Sequence, residues 1–103
     1  MKFYSTNNKD LRVGFKEAVF NSMPQDKGLY MPEHIPHLDA KFLNNLDQYT
    51  LPEIAFRVAQ NLLGDDIPAD DLKAIINDTI NFYAPIVKLE KNVFVLELFH
   101  GPS

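Results

Sequence analysis

The chain of 103 residues contains no cysteine. Disulfides, thiolate catalysis and cysteine-ligated metal sites are therefore excluded, and a reducing compartment is compatible with the sequence. Positive charge is scarce. Ten Lys and Arg stand against fourteen Asp and Glu, for a formal net charge of −4, and Arg12 and Arg57 are the arginines. That balance argues against a nucleic-acid partner, which needs a clustered basic face, and against an anionic membrane surface. Long apolar runs are missing too. No window approaches the roughly 18 apolar residues of a membrane span. Residues 1–12, with Lys2, Lys9, Asp10 and Arg12, hold no signal-peptide-like stretch. The expected setting is the cytoplasm, with no nucleic acid and no membrane as partner. Internal repeats, low-complexity tracts, a phosphate-cradling glycine loop and a nucleophile–base pair are all lacking.

What remains is ordinary globular material, 46% hydrophobic and 23% charged. At this length it makes one modest domain, whose core a single layer of helices over a small sheet would exhaust. "KFYS" (2–5) predicts a short strand, and "STNNKD" (5–10) a polar turn. "GFKEAVFNSM" (14–23) predicts a helix with Phe15, Ala18, Val19 and Ser22 on one stripe. Gly14 stands at its N-cap and offers no side-chain oxygen. "GLYMP" (28–32) predicts a brief strand, and Pro32 and Pro36 bracket an irregular crossing. Asp39 is placed to cap a short helix that buries Phe42, Leu43 and Leu46.

Two stronger helices follow. Thr50 and Glu53 form a capping-box pair with Pro52 in the first turn. Leu51, Ile54, Ala55, Val58, Ala59 and Leu62 then repeat at i, i+3, i+4 and i+7, and Gly64 is placed to end the helix as C′. Pro68 opens the next helix. Asp70 and Asp71 sit in its first turn, Leu72, Ile75, Ile76, Thr79, Ile80 and Tyr83 form its buried face, and Pro85 ends it. "PIVKLEKNVFVLELF" (85–99) predicts two strands joined by a turn at 90–92. In the second, Phe94, Leu96 and Leu98 face one way and Val93, Val95, Glu97 and Phe99 the other. A strand so apolar on both faces is expected to be covered on both. These elements predict an α+β fold: a small three- to four-helix domain with a short, mainly antiparallel sheet.

Several residues could carry chemistry. His34 and His37 are three apart, but Pro36 between them opposes a helical metal site, and an exposed loop is the expected reading; no metal is predicted. "STNN" (5–8) supplies hydroxyls and amides that could hold an anion or simply form a polar turn. Glu97, on an otherwise apolar face, calls for a basic partner or an edge position. His100 closes an apolar strand and is followed by Gly101, Pro102 and Ser103. Such a histidine is either half-buried against a backbone carbonyl or part of a binding loop, where glycine permits close ligand approach.

In order, "FYSTNN", "GFKEAVFNSM", "DKGLYMP", Ile35-Pro36 before a helix, "YAPIVKLE" and "LELFHGPS" resemble the N-terminal region of the threonine synthase family across essentially the whole chain. The last motif is the most specific. In that family it reads Glu-Leu-Phe-His-Gly-Pro-Thr, and a Phe-Lys-Asp soon follows whose lysine holds pyridoxal 5′-phosphate. Here Ser103 takes the threonine position and keeps a hydroxyl; Lys27 stands where the family usually has glycine, and Gly14 where a capping serine or threonine is common.

The resemblance implies an enzyme of fold type II that converts O-phospho-L-homoserine and water to L-threonine and phosphate. It implies that residues 1–92 are its N-terminal domain, part of a larger α/β enzyme. Residues 93–103 are then the first strand and loop of a catalytic domain that is cut short a few residues before the lysine. His100, Gly101, Pro102 and Ser103 are expected to approach the active site. This piece alone is expected neither to bind the cofactor productively nor to turn over, and to self-associate through 93–99. Two rival readings stay open on the residues alone. One is a stand-alone α+β interaction module without catalysis; the other is a different pyridoxal-phosphate lyase of the same fold type.

Overall fold

Thr50 Oγ1 accepts a hydrogen bond from the Glu53 backbone N–H at 3.3 Å and so opens the longest element of the computed structural model, which describes residues 1–101. That helix, α3, runs Leu51–Leu63, and its apolar stripe faces a second helix, α4, at Ala69–Thr79. Within this pair Leu72 is 2% exposed. Ahead of them stand β1 (Lys2–Ser5), β2 (Asn8–Gly14), α1 (Phe15–Asn21), β3 (Tyr30–Pro32) and α2 (Ala40–Asn44), with a 3₁₀ turn at Leu46–Gln48. Behind them come β4 (Ile86–Glu90) and β5 (Val93–Leu96).

The strands form two antiparallel sheets, one ordered β2-β1-β3 and one of β4 and β5. The expected α+β domain with a short antiparallel sheet is what forms. In the first sheet Phe3 pairs with Val13 on one side and Pro32 on the other. The Phe3 ring meets that of Phe15 at 6.1 Å, which seats α1 on the sheet. The N-terminal ammonium reaches Asp66 Oδ2 at 3.2 Å, and the Asn61 side-chain amide donates to the Pro36 carbonyl at 2.9 Å. These bonds tie the sheet and the crossing segment to the α3–α4 pair.

Several expectations are corrected. The polar stretch 5–10 is not all turn. Only Thr6 and Asn7 turn; Ser5 pairs with Asn8, and β2 begins there, because an exposed strand needs no apolar residues on its solvent side. The strand expected at 28–32 narrows to Tyr30–Pro32. α1 stops at Asn21, where Ser22 swings to φ 61, and Ala18 is the buried residue of its stripe while Val19 is exposed. Asp39 caps α2 as expected, through a bond from the Lys41 N–H, and Phe42 is 3% exposed. Leu43, next to Phe42 within α2, and Leu46, in the 3₁₀ turn beyond it, stay exposed.

Gly64 is right-handed (φ −61°, ψ −25°) rather than a left-handed C′; its N–H still bonds the Gln60 carbonyl, and the chain turns on through Asp66. α4 ends at Thr79, well before Pro85, and Tyr83 is 81% exposed. The Thr79 hydroxyl donates back to the Ile75 carbonyl at 2.8 Å, and the Asn81 side-chain amide donates to the Asp78 carbonyl at 3.1 Å. These local bonds compete with helix continuation and finish it early.

The last strand is also shorter than 93–99. The turn is Lys91-Asn92, with Asn92 at φ 65, and pairing closes with the Glu97 N–H on the Pro85 carbonyl at 2.9 Å. Neither face of β5 is covered by the described residues. Val93, Phe94, Val95 and Leu96 are 41%, 59%, 38% and 54% exposed.

That exposure leaves a quantitative mark. The accessible surface is 8182 Å² for an 11.8 kDa chain. A compact monomer of this mass exposes about 5,900 Å². The radius of gyration, 16.7 Å, likewise exceeds the roughly 13 Å of a compact domain of this length. Few apolar side chains are fully enclosed, and the surplus surface is rich in Phe, Leu, Ile and Val of the hairpin.

Candidate functional site

Beyond Glu97 the chain leaves the hairpin and folds back over the α4–β4 connection. The His100 ring stacks on Phe82 with centroids 3.9 Å apart and planes 26° from parallel. Behind that stack lies an open cleft of about 430 Å³. α3 contributes Leu51 and Ala55, the α4–β4 connection Ile80, Phe82, Tyr83 and Ala84, and β5 and its extension Leu96 and Leu98. No cation lines this cleft, so it suits apolar side chains and not a phosphorylated ligand.

His100 is exposed, and Phe99 beside it is 83% exposed. A Cβ on Gly101 would meet no atom within 4 Å, so the tip stands in open space. His100 and Gly101 are therefore brought together at the end of an uncovered hairpin. Pro102 and Ser103 lie outside the described residues. Glu97 is half-buried at the edge of the two-stranded sheet, and no basic group pairs with it among the described residues.

The "STNN" stretch does something else. Ser5 is fully buried, and its hydroxyl donates to Asp26 Oδ1 at 2.6 Å while accepting the Asn7 N–H at 3.2 Å. The Asn7 amide donates to the Asp26 carbonyl at 2.8 Å, and Thr6 Oγ1 accepts the Leu29 N–H at 2.9 Å. Asp26 Oδ1 also takes the Gly28 N–H at 3.0 Å. Of the groups that could have held an external anion, the Ser5 hydroxyl is taken by the Asp26 carboxylate and the Asn7 amide by the Asp26 carbonyl, while Thr6 and Asn8 accept backbone N–H groups. Sequence reasoning did not single out Asp26; its place just before Lys27-Gly28 in a tight turn was the available signal. A Cβ on Gly28 would lie 2.4 Å from Ser5 Oγ, so glycine is required for the closure. Lys27 holds φ 66, a conformation that suits the glycine usual in the family.

Of the remaining candidates, His34 lies on the surface with Nδ1 3.9 Å from Glu33 Oε1, and His37 is exposed. No group of three His, Asp or Glu side chains converges as a metal site among the described residues. No helix among them is long and apolar enough to cross a membrane.

Comparison with known proteins is consistent with this geometry. Residues 2–80 match the family model described as threonine synthase N terminus. The threonine synthase of Haemophilus influenzae is 34% identical over 103 residues, covering 100% of this chain and 24% of that protein. That of Methylobacillus glycogenes is 32% identical, again covering 100% of this chain and 24% of the relative. Among solved structures, threonine synthase from Escherichia coli superposes with a TM-score of 0.87 at 27% identity, over 98% of this chain and 24% of that one. The PLP-bound threonine synthase from Brucella melitensis gives 0.85 at 33% identity, over 99% and 23%. The chain thus spans about a quarter of the length of the proteins it matches. It belongs to the threonine synthase family, as an N-terminal domain of that enzyme.

Proposed function

We propose that this domain serves a cytoplasmic pyridoxal-phosphate-dependent lyase that converts O-phospho-L-homoserine and water to L-threonine and phosphate. Its part is to deliver the 93–103 segment to a catalytic body built by further chain. The observation that carries this reading is the uncovered hairpin. Some 2,300 Å² of surface beyond that of a compact monomer is the scale of an extensive interface. The most apolar part of it leads directly into His100 and Gly101.

The likeness to a PLP-bound relative supports the cofactor for the whole enzyme. When bound, the cofactor supplies an electron sink for carbanion chemistry on an amino-acid substrate. The cleft beside the His100 tip does not fit it by itself. The cleft behind His100 offers neither a cation for its phosphate nor a lysine for its aldehyde. The lysine that holds it belongs, on this reading, just past Ser103, and the domain alone is inactive. What this chain contributes is positional. The hairpin leads into His100 and Gly101, Phe82 holds the His100 ring, and the missing Cβ of Gly101 lets backbone come close to a ligand. The helical domain covers one side of the body and helps keep bulk water out.

The test is an assay of the full-length protein with O-phospho-L-homoserine and pyridoxal phosphate, following phosphate and threonine together. Equal amounts of both support the reading. Phosphate release without threonine indicates a different lyase, and no turnover with a full-length polypeptide that lacks a catalytic body indicates an interaction module. The 103-residue chain, incubated with the cofactor, should show no internal-aldimine band and, after borohydride reduction, no attachment concentrated at one lysine; a band with reducible attachment at a single lysine would contradict the reading.

A further inference from the structure

A second cleft, unrelated to the His100 tip, lies between α3 and α4 and measures about 510 Å³, within the range of small-ligand sites. Tyr49, Pro52 and Phe56 give it an apolar wall; Glu53 and Arg57 of α3 and Lys73 and Asn77 of α4 bring polar groups to it. The charges are arranged unusually. Glu53 precedes Arg57 by four residues, the spacing and order that favour an ion pair along a helix. Yet no ion pair joins Glu53, Arg57 and Lys73 among the described residues.

Arg57 is held another way. Its guanidinium carbon lies 5.6 Å from the Phe42 ring centroid and 5.8 Å from that of Tyr49, and those rings meet at 5.1 Å. Phe42 is 3% exposed, so the platform is fixed in the core. Stacking orients the guanidinium without using its N–H donors. Glu53 is equally free, because the α3 cap uses its backbone N–H and no reciprocal bond from its carboxylate is formed among the described residues.

Two cations and one carboxylate thus line one concave surface, none of them in an ion pair among the described residues. We infer that the α3–α4 cleft binds a small α-amino acid carrying a second acidic group, its ammonium on Glu53 and its two anionic groups on Arg57 and Lys73. Such a ligand is anionic, with a net charge of about −1 where the second acid is a carboxylate and close to about −2 where it is a phosphate, and meets the net positive charge of the three side chains. Charge-assisted bonds to a planar, pre-oriented guanidinium supply geometric selectivity, and Pro52 and Phe56 cover the aliphatic stem. The inference stands apart from the catalytic reading, since it uses no residue of the 93–103 segment.

The test is titration of the ¹⁵N-labelled protein with L-aspartate, O-phospho-L-serine and, as a control lacking the ammonium, succinate. Saturable amide shifts confined to the surroundings of Thr50, Glu53, Lys73 and Asn77 are expected with one or both amino acids. The stronger of the two tells whether the second acid is a carboxylate or a phosphate. Lys73→Gln should weaken binding about tenfold, the equivalent of one lost charge-assisted contact. Glu53→Gln should remove the preference over succinate. Both residues are exposed and the cap is a backbone bond, so both variants should unfold at the temperature of the parent. Absence of saturable shifts with either amino acid overturns the inference, as does unchanged affinity in Lys73→Gln or succinate binding as tightly as aspartate.

Discussion

Ser5 Oγ and Asp26 Oδ1 lie 2.6 Å apart across 21 residues of sequence, and that bond locks the β1–β2 turn to the loop that leads into β3. The second oxygen of the carboxylate, Oδ2, is buried and has no hydrogen-bond partner among the described residues. The pair is therefore finely balanced: Asp26 accepts from Ser5 and from the Gly28 N–H on one oxygen only. Ser5→Ala should lower the unfolding free energy by about 1–3 kcal/mol, because it strips a half-buried carboxylate, one of whose oxygens is enclosed, of a donor. Urea denaturation measures this. Adding Asp26→Ala to Ser5→Ala should cost less than the sum of the two single changes; strict additivity would show that the two side chains do not cooperate.

Lys27 is a non-glycine residue at positive φ, next to the glycine whose missing Cβ admits Ser5. Replacing it with glycine relieves the left-handed strain and should raise stability by about 1 kcal/mol. A lower midpoint in Lys27→Gly would mean that the lysine side chain makes a contribution larger than the strain.

These two positions mark the boundary of what the sequence made legible. The Thr50 and Asp39 caps were readable because each depends on residues within one helical turn. The α3 stripe was readable as a pattern, but Leu51 and Val58 of it are exposed, since burial depends on what packs against the helix. The early end of α4 was not, since Thr79 and Asn81 made local bonds that periodicity cannot register. Asp26 was invisible for a different reason: its partner Ser5 is distant in sequence, and an Asp before Lys-Gly reads as a solvated turn. Of the candidate site, the motif at 96–103 was recognisable from the order of its residues. The stacking of His100 on Phe82 could not be read from it, because it joins two irregular segments.

The His100 ring rests upon Phe82, and the His100 side chain makes no hydrogen bond or ion pair among the described residues. In the full-length enzyme His100→Ala should therefore leave the thermal midpoint nearly unchanged while reducing turnover at least about tenfold. Equal turnover removes His100 from the active-site loop. Loss of turnover matched by loss of folding reduces it to a packing residue.

Exposed apolar strands recruit partners. Sedimentation of the 103-residue chain should reveal concentration-dependent association, and Val95→Lys together with Phe94→Lys, one on each face of β5, should reverse it. A chain that stays monomeric over a wide concentration range would show that the hairpin tolerates water on both faces.

Amide hydrogen exchange across β4 and β5 tests the central claim most directly. In the isolated chain these amides should exchange rapidly, because only the hairpin's own bonds protect them. In the full-length protein they should become strongly protected, along with the amides of His100 and Gly101. Equal, fast exchange in both would contradict the account, since the hairpin would then not be the strand a catalytic body closes upon.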